Sequence, residues 1–449
     1  EAFSAPAGRF VPARSAAAKT NLPNWRDLAP RFQAVYDLFG NAKTAVKFSI
    51  NRYNAAQTTS IAASFNPLGS KTSAAIPWTD LNGDKVAQGQ RTWNADGTYT
   101  DCVYLTPGCE IDLSQLPANF GLLTDAGTYG GYPRNWNLET GLELQHELLP
   151  RLSVTGTWYH GNYHNLTSTV NRAVTPADYT PVQIFNPLDG TPLTIYNISA
   201  AANARASDNL TALDPSRKDI YNSYSAEFRA RPGRALFFGG VSFERELLVN
   251  CTVGQQQNPN LLRFCDQTHL PKGQQIPYAA NVRLNASYPL PWWGVTLSGT
   301  LQSNDGGAQS VTYAVVRGGA TITRYPDGSA AYLAAGVPVP ACPSPCTPGA
   351  ALPTLTLSSF GTETTSQLPL LPPGARRYER LNQLDLKVSK TFRIGGVSVS
   401  PSLEAFNINN SDKVITVAST SYAISGGAYL RPNSIVQGRI IGLSVQTRW

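Results

Sequence analysis

The sequence predicts an all-β chain, the wall of a transmembrane antiparallel up-and-down β-barrel. Three observations carry that expectation. Runs of about 9–11 residues, the length a tilted strand needs to cross a bilayer, alternate apolar and polar side chains along the chain. The polar sides of these runs are crowded with charge, whereas the apolar sides are clean. The connections between runs alternate short and long.

Taken in order, the runs are RFQAVYDLF (31–39), KTAVKFSINRY (43–53), NLETGLELQHEL (137–148), RLSVTGTWYH (151–160), YNSYSAEFRAR (221–231), ALFFGGVSFER (235–245), NVRLNASY (281–288) and VTLSGTLQS (295–303). QLDLKVSKTFRI (383–394), VSVSPSLEA (397–405) and a terminal strand over 435–449 complete the set, roughly eleven strands at the strand period of two. In the last strand Ile441, Leu443, Val445, Thr447 and Trp449 share one face; Gly442, Ser444, Gln446 and Arg448 share the other. In the ninth, Leu384, Leu386, Val388 and Phe392 share a face with a lone Lys390.

A soluble sandwich also alternates, so the polar sides decide between the two folds. They carry Glu139, Glu143, Glu227, Arg229, Arg231, Arg283, Asp385, Lys387, Glu404 and Arg448, while Trp136, Trp158, Tyr53, Tyr288, Trp292, Trp293 and Trp449 collect towards strand ends. A lipid-facing band with aromatic girdles and a wet lumen predicts this distribution. The short joins are 40–42, Pro150, 232–234, 289–294 and 395–396; the long ones run about 54–135, 165–219, 248–279, 306–380 and 409–434. Tight turns on one side and extended loops on the other belong to membrane barrels, and structureless loops this long are rare inside compact soluble domains.

Composition agrees. Charged residues are 14% of the chain, and 37 glycines and 33 prolines suit strands and turns better than helices. No run of about eighteen apolar residues exists, which excludes a membrane-spanning helix. The net charge of +7 is dispersed without a Lys/Arg run, so a nucleic-acid partner has no motif behind it; basic loops could meet lipopolysaccharide phosphates, and solvation of the loops is the simpler account. The four histidines form no catalytic constellation: His160 and His164 lie in or beyond a strand, roughly 13 Å apart if extended. No nucleotide-binding or nucleophile-elbow motif is present, and the chain reads as something other than an enzyme.

Six cysteines fall as three close pairs, Cys102 with Cys109, Cys251 with Cys265 and Cys342 with Cys346, each pair inside one long loop. Local disulfides are the simplest of the fifteen connectivities, and they fit passage through an oxidising compartment. In WTDLNGDKVAQ (78–88), Asp80, Asn82 and Asp84 take the first three ligand positions of a calcium loop, but Lys85 replaces the turn glycine and Arg91 stands where a bidentate acid belongs. The alternative is an Asx-rich turn at Asn82-Gly83.

The stretch NWRDLAPRFQAVYDLFGNAKTAVKFSINRY resembles the W-x-D-x-x-P-R…Y-D-x-F-G…T…R-Y pattern of TonB-dependent receptors, closest to the Oar-like subgroup with a carboxypeptidase-regulatory-like domain. WTDLNGD, NQLDLKVSKTF and LEAFNINNS are similar to later motifs of the same barrels. A strand ending on Trp449 also resembles bacterial outer-membrane barrels, whose assembly machinery recognises a terminal Phe or Trp. The resemblance implies an outer-membrane location, a 22-stranded barrel, an internal plug and energised uptake of a scarce ligand through TonB. An anchor for adhesion, secretion or surface assembly is the alternative.

About eleven strands make half of such a barrel. The expectation is therefore an extracellular loop segment over 1–30 followed by the C-terminal barrel half over 31–449. A second polypeptide would supply the other half, the plug and the contact with the TonB complex, because strand edges left open in hydrocarbon are not tolerated.

Overall fold

The computed structural model describes residues 2–8, 13–18, 25–56, 78–80, 83, 85, 91–93, 99–101, 110–112, 120, 133–186, 188, 191–203, 205, 207–313, 320–324, 330–334, 368–422 and 429–449. One large antiparallel sheet dominates them. Its strands are β1 (Arg31–Asp37), β2 (Thr44–Asn54), β3 (Trp136–Leu149), β4 (Leu152–His164), β5 (Lys218–Ala230), β6 (Leu236–Val249), β7 (Ala279–Pro289), β8 (Val295–Asn304), β9 (Leu381–Lys390), β10 (Val397–Phe406) and β11 (Ile440–Arg448). Each pairs with the strand before and the strand after it, a strict up-and-down meander. A twelfth segment, Phe392–Ile394, continues β9 in the same register against β10. The interruption falls opposite Pro401, which has no N–H to give a ladder.

Register fixes the faces. The cross-strand row Ile50, Thr140, His160, Asn222, Arg245 lies on one side, and Asn51, Glu139, Gly161, Tyr221, Glu246 on the other. The first side is the apolar one, and it is open: Phe48, Leu142, Leu144, Tyr224, Phe243, Leu297 and Leu403 are exposed, and Leu443 is 84% exposed. So large an uncovered apolar surface is alien to a soluble monomer, whereas hydrocarbon covers it at no cost. This sheet is the wall of a membrane β-barrel.

All ten carboxylates of the eleven strands stand on the second side, Asp37 in β1 through Glu404 in β10. Tyr53 stands there too, under the Arg31 guanidinium at 4.6 Å, so it belongs to the polar face and not to an aromatic girdle. Trp136, Trp158 and Tyr288 do lie on the apolar side, and Trp292 and Trp293 project from a short turn.

Two glycines let neighbouring strands come close. A Cβ on Gly239 would meet the Arg283 carbonyl oxygen at 2.2 Å, and one on Gly240 the Ala226 oxygen at 2.5 Å.

The sheet is open. Among the described residues β1 pairs only with β2 and β11 only with β10, leaving a bare backbone edge on each. At one end of the sheet the strands join through tight turns, with Arg151 and Gly395 in the left-handed region at φ 71 and 62. At the other end stand the long connections.

These long connections carry more structure than their sequence suggests. Thr167–Asn171 pairs with Asn209–Leu213, Tyr179–Phe185 with Pro192–Ile198, and Val414–Val417 with Pro432–Ile435. A small core of Val174, Tyr179, Ile198 and Ala202 packs inside the 165–217 connection. Phe3–Ala5 and Arg14–Ala16 form a separate hairpin.

Candidate functional site

Two regions bring chemistry together: the polar face of the sheet and the platform made by the long connections. On the polar face the charges are tied laterally. Lys47 donates to Glu143 at 2.7 Å and to Gln145 at 3.0 Å across the β2–β3 pair. Lys387 donates to Glu404 at 2.6 Å, and the Ser402 and Ser444 hydroxyls meet at 2.6 Å beside it. These groups are thus satisfied on their own face, as suits a water-filled lumen. Gln145, Thr155, Glu227, Arg229, Ser242 and Arg283 line a broad cleft of about 810 Å³ on this face.

Towards the long connections the polar face becomes acidic and rich in tyrosine. Glu139, Asp219, Glu244 and Glu246 share it with Tyr53, Tyr159, Tyr163 and Tyr221. Tyr159 and Tyr221 pack edge to face at 5.8 Å.

Segment 251–265 organises the platform. The Cys251–Cys265 disulfide closes it, with Cα atoms 4.9 Å apart. Inside this clasp run a short helix, Thr252–Gln256, and a 3₁₀ turn, Pro259–Leu262, whose start is capped by Asn258 accepting from the Asn260 N–H. Buried Asn260 then reaches another connection. Its amide donates to the Tyr196 carbonyl at 2.7 Å and its oxygen accepts from the Tyr196 N–H at 2.8 Å, reproducing one rung of an antiparallel ladder. Gln257 accepts from the Asn171 N–H at 2.8 Å, and Arg263 donates to the Pro369 carbonyl at 2.8 Å. Thr312–Tyr313 pairs with both Leu368–Pro369 and Ser421–Tyr422. Four long connections are therefore knitted into one surface.

Carboxylates anchor the platform. Burial of Asp214 opposes its ionised form, but donors from Ser168, Ser216 and Thr252 and from the Ser216 N–H outweigh it and lower the carboxyl to about 2. Asp178 is held below its ordinary value by the Arg205 guanidinium and by Thr175. For Asp266 burial again opposes ionisation, and Thr268 and His269 overcome it.

Of the residues singled out in the sequence, Cys251 and Cys265 are joined; Cys102, Cys109, Cys342 and Cys346 lie outside the described residues. Asp80 accepts from the Gly83 N–H at 2.7 Å and the Lys85 N–H at 3.0 Å, the contacts of a turn; Asn82 and Asp84 lie outside the described residues. His160 and His164 stand on the apolar face: His164 stacks on Trp136 at 3.9 Å, and His160 bonds Asn222 at 2.9 Å. Trp449 follows β11 and is 95% exposed. Sequence reasoning missed the Asn260 hook. The available signal is the sequence NPLDG (186–190) between the two strands of the hairpin it grips.

No family model matches the chain, and no curated protein matches it. Among solved structures it is similar to the outer membrane transporter YddB from Escherichia coli, at TM-score 0.43 and 11% identity over 94% of this chain and 40% of that one. It is also similar to the siderophore receptor PirA from Acinetobacter baumannii, at TM-score 0.39 and 10% identity over 98% of this chain and 41% of that one. For the ferripyoverdine receptor of the outer membrane of Pseudomonas aeruginosa the values are 0.37 and 11%, over 98% and 34%. The chain thus spans about two fifths or less of the length of these proteins.

Proposed function

We propose that this chain is the C-terminal half of the barrel wall of a TonB-dependent receptor in the bacterial outer membrane, engaged in energised uptake of a scarce ligand. The observation that carries this reading is the open two-faced meander: a bare apolar face, every strand carboxylate on the opposite face, and an unpaired edge at each end. The motifs around Trp25–Tyr53 and 382–411 support the family. Each backbone N–H or C=O left open in hydrocarbon costs several kcal/mol, which motivates a second polypeptide that pairs with β1 and β11, bears the plug and contacts TonB. The ligand is met by the knitted platform and the acidic, tyrosine-rich end of the polar face beneath it.

Purification from the outer membrane in mild detergent tests the reading. The expected result is this chain bound to a second polypeptide of comparable or larger size that carries a plug and a TonB-interacting segment. A partner without a plug would replace uptake by a scaffolding role. This chain alone, monomeric and closed on itself, would overturn the half-barrel.

A further inference from the structure

Two arginines at the tight-turn end of the polar face have nothing to answer their charge. Arg393, in the segment that continues β9, and Arg448 of β11 stand on either side of Ser398 in one cross-strand row. With strands about 4.8 Å apart, their Cα atoms are roughly 10 Å from each other, so both guanidiniums reach the space above the serine. The next two rows, Thr391–Ser400–Gln446 and Ser389–Ser402–Ser444, hold hydroxyls and one amide but no carboxylate. Glu404 lies a further row away, and Lys387 already holds it at 2.6 Å. Neither Arg393 nor Arg448 has an ion pair among the described residues. Together with these hydroxyls they line a cleft of about 610 Å³.

Arg448 belongs to a strand whose far side is bare. Backbone pairing alone does not decide what covers it. β1 and β11, the first and last strands of the meander and both odd in an antiparallel order, run in the same direction, so a strand laid against either edge meets the same kind of ladder. Charge separates the two edges. At the tight-turn end of β1 stands Asp37, which already accepts from the Ala42 N–H at 2.6 Å and the Phe39 N–H at 3.4 Å. At the same end of β11 stands Arg448. A carboxylate brought in at this level is repelled at the first edge and attracted at the second.

We propose that the second polypeptide lays against β11 a strand bearing an aspartate or glutamate level with Arg448, and that this carboxylate enters the cleft between Arg448 and Arg393. The occupant belongs to that polypeptide, because the row faces away from hydrocarbon and lies beside the edge that the polypeptide must cover. It is a carboxylate because planar guanidinium forks, one from each side of Ser398, suit its two oxygens. The proposal rests on the second polypeptide of the reading above and adds the chemistry of one of its two seams.

The test keeps this chain with whatever stays bound to it on isolation from the outer membrane in mild detergent. A water-soluble carbodiimide then joins a lysine amine to a carboxylate within ion-pair reach; an amide forms, and the carbodiimide takes up the water lost and leaves as a urea. Lys387 and Glu404, 2.6 Å apart, supply an internal standard. Arg448→Lys should give an adduct with the summed mass of the two polypeptides, its amide mapped by mass spectrometry to one acidic residue of the partner. Arg393→Lys should reach the same residue. Gly442→Lys, on the same face where an added Cβ meets nothing nearer than 4.0 Å, should not. Failure of either arginine variant to join the partner while Lys387 joins Glu404, joining to this chain's own carboxylates alone, or equal joining from Gly442→Lys would overturn the proposal. An isolate without a second polypeptide would instead bring down the half-barrel reading, and the seam with it.

Discussion

Leu443 and Ser444 are neighbours in β11 that face opposite solvents, and exchanging each for arginine should separate the two faces in one experiment. Leu443 pairs with Leu403 near the middle of the strand, is 84% exposed, and has only apolar neighbours on its side. An arginine there enters hydrocarbon close to the midplane, at a cost of about 2–4 kcal/mol. Ser444 pairs with Ser402 on the polar side, and its hydroxyl lies 2.6 Å from that of Ser402 and 3.2 Å from Glu404. Ser444→Arg forfeits roughly 1 kcal/mol of hydrogen bonding and recovers part of it by facing the Glu404 carboxylate. The two variants should therefore differ by about 2 kcal/mol or more, a thirtyfold ratio in the folding equilibrium. Urea titration of the purified assembly in lipid vesicles reads this directly. Equal destabilisation by the two substitutions would mean that β11 is out of register or that its apolar face does not meet lipid.

Three further outcomes are expected. Gly396→Cys, whose Cβ meets nothing within 4 Å, should escape a membrane-impermeant thiol probe applied to intact cells while exposed Lys272→Cys reacts; labelling at 396 from outside would reverse the orientation. Asn260→Ala removes both bonds to Tyr196, about 1–3 kcal/mol of local stability, and should speed amide exchange at Tyr196 by ten- to a hundredfold without moving exchange in β5 or β6. Acid should loosen the platform. The Asp214 carboxyl is depressed from 3.8 to about 2, so its contribution of about 2 kcal/mol is fully present above pH 4 and fades as pH falls towards 2. Asp178 and Asp266, also lowered, act in the same direction. Asp214→Asn should flatten that acid limb in hydrogen exchange of the 165–217 segment; an unchanged limb would remove Asp214 from the account.

The strands were legible because their physics is local. Alternation set by two solvents leaves a period of two that survives in single runs such as NLETGLELQHEL, and β3 exceeds that run by only one residue at each end. Register followed from the same alternation, since a slip of one residue would turn Glu139 and Glu143 into lipid. The interruption in β9 was hidden, because its cause is Pro401 on the partner strand, distant in sequence. The platform was hidden for the same reason on a larger scale. Ile195 is fully buried, and the Asn260 hook spans 64 residues. A polar residue in a Pro/Asn-rich stretch carries no periodic signature of what it will hold. Arg393 and Arg448 were visible as charges within alternating runs; only the assembled sheet put them in one row, on either side of Ser398.

The hook between Asn260 and residue 196 touches backbone alone. With any side chain but proline's at 196, the N–H and C=O remain, so mutation there leaves the fastening intact. The hairpin at 179–198 can thus exchange side chains while these two bonds persist. A substitution at 260, by contrast, removes both bonds at once. What constrains position 196 is accordingly packing, since Tyr196 lies against the Val174, Tyr179, Ile198 and Ala202 core, whereas what constrains position 260 is the pair of hydrogen bonds itself.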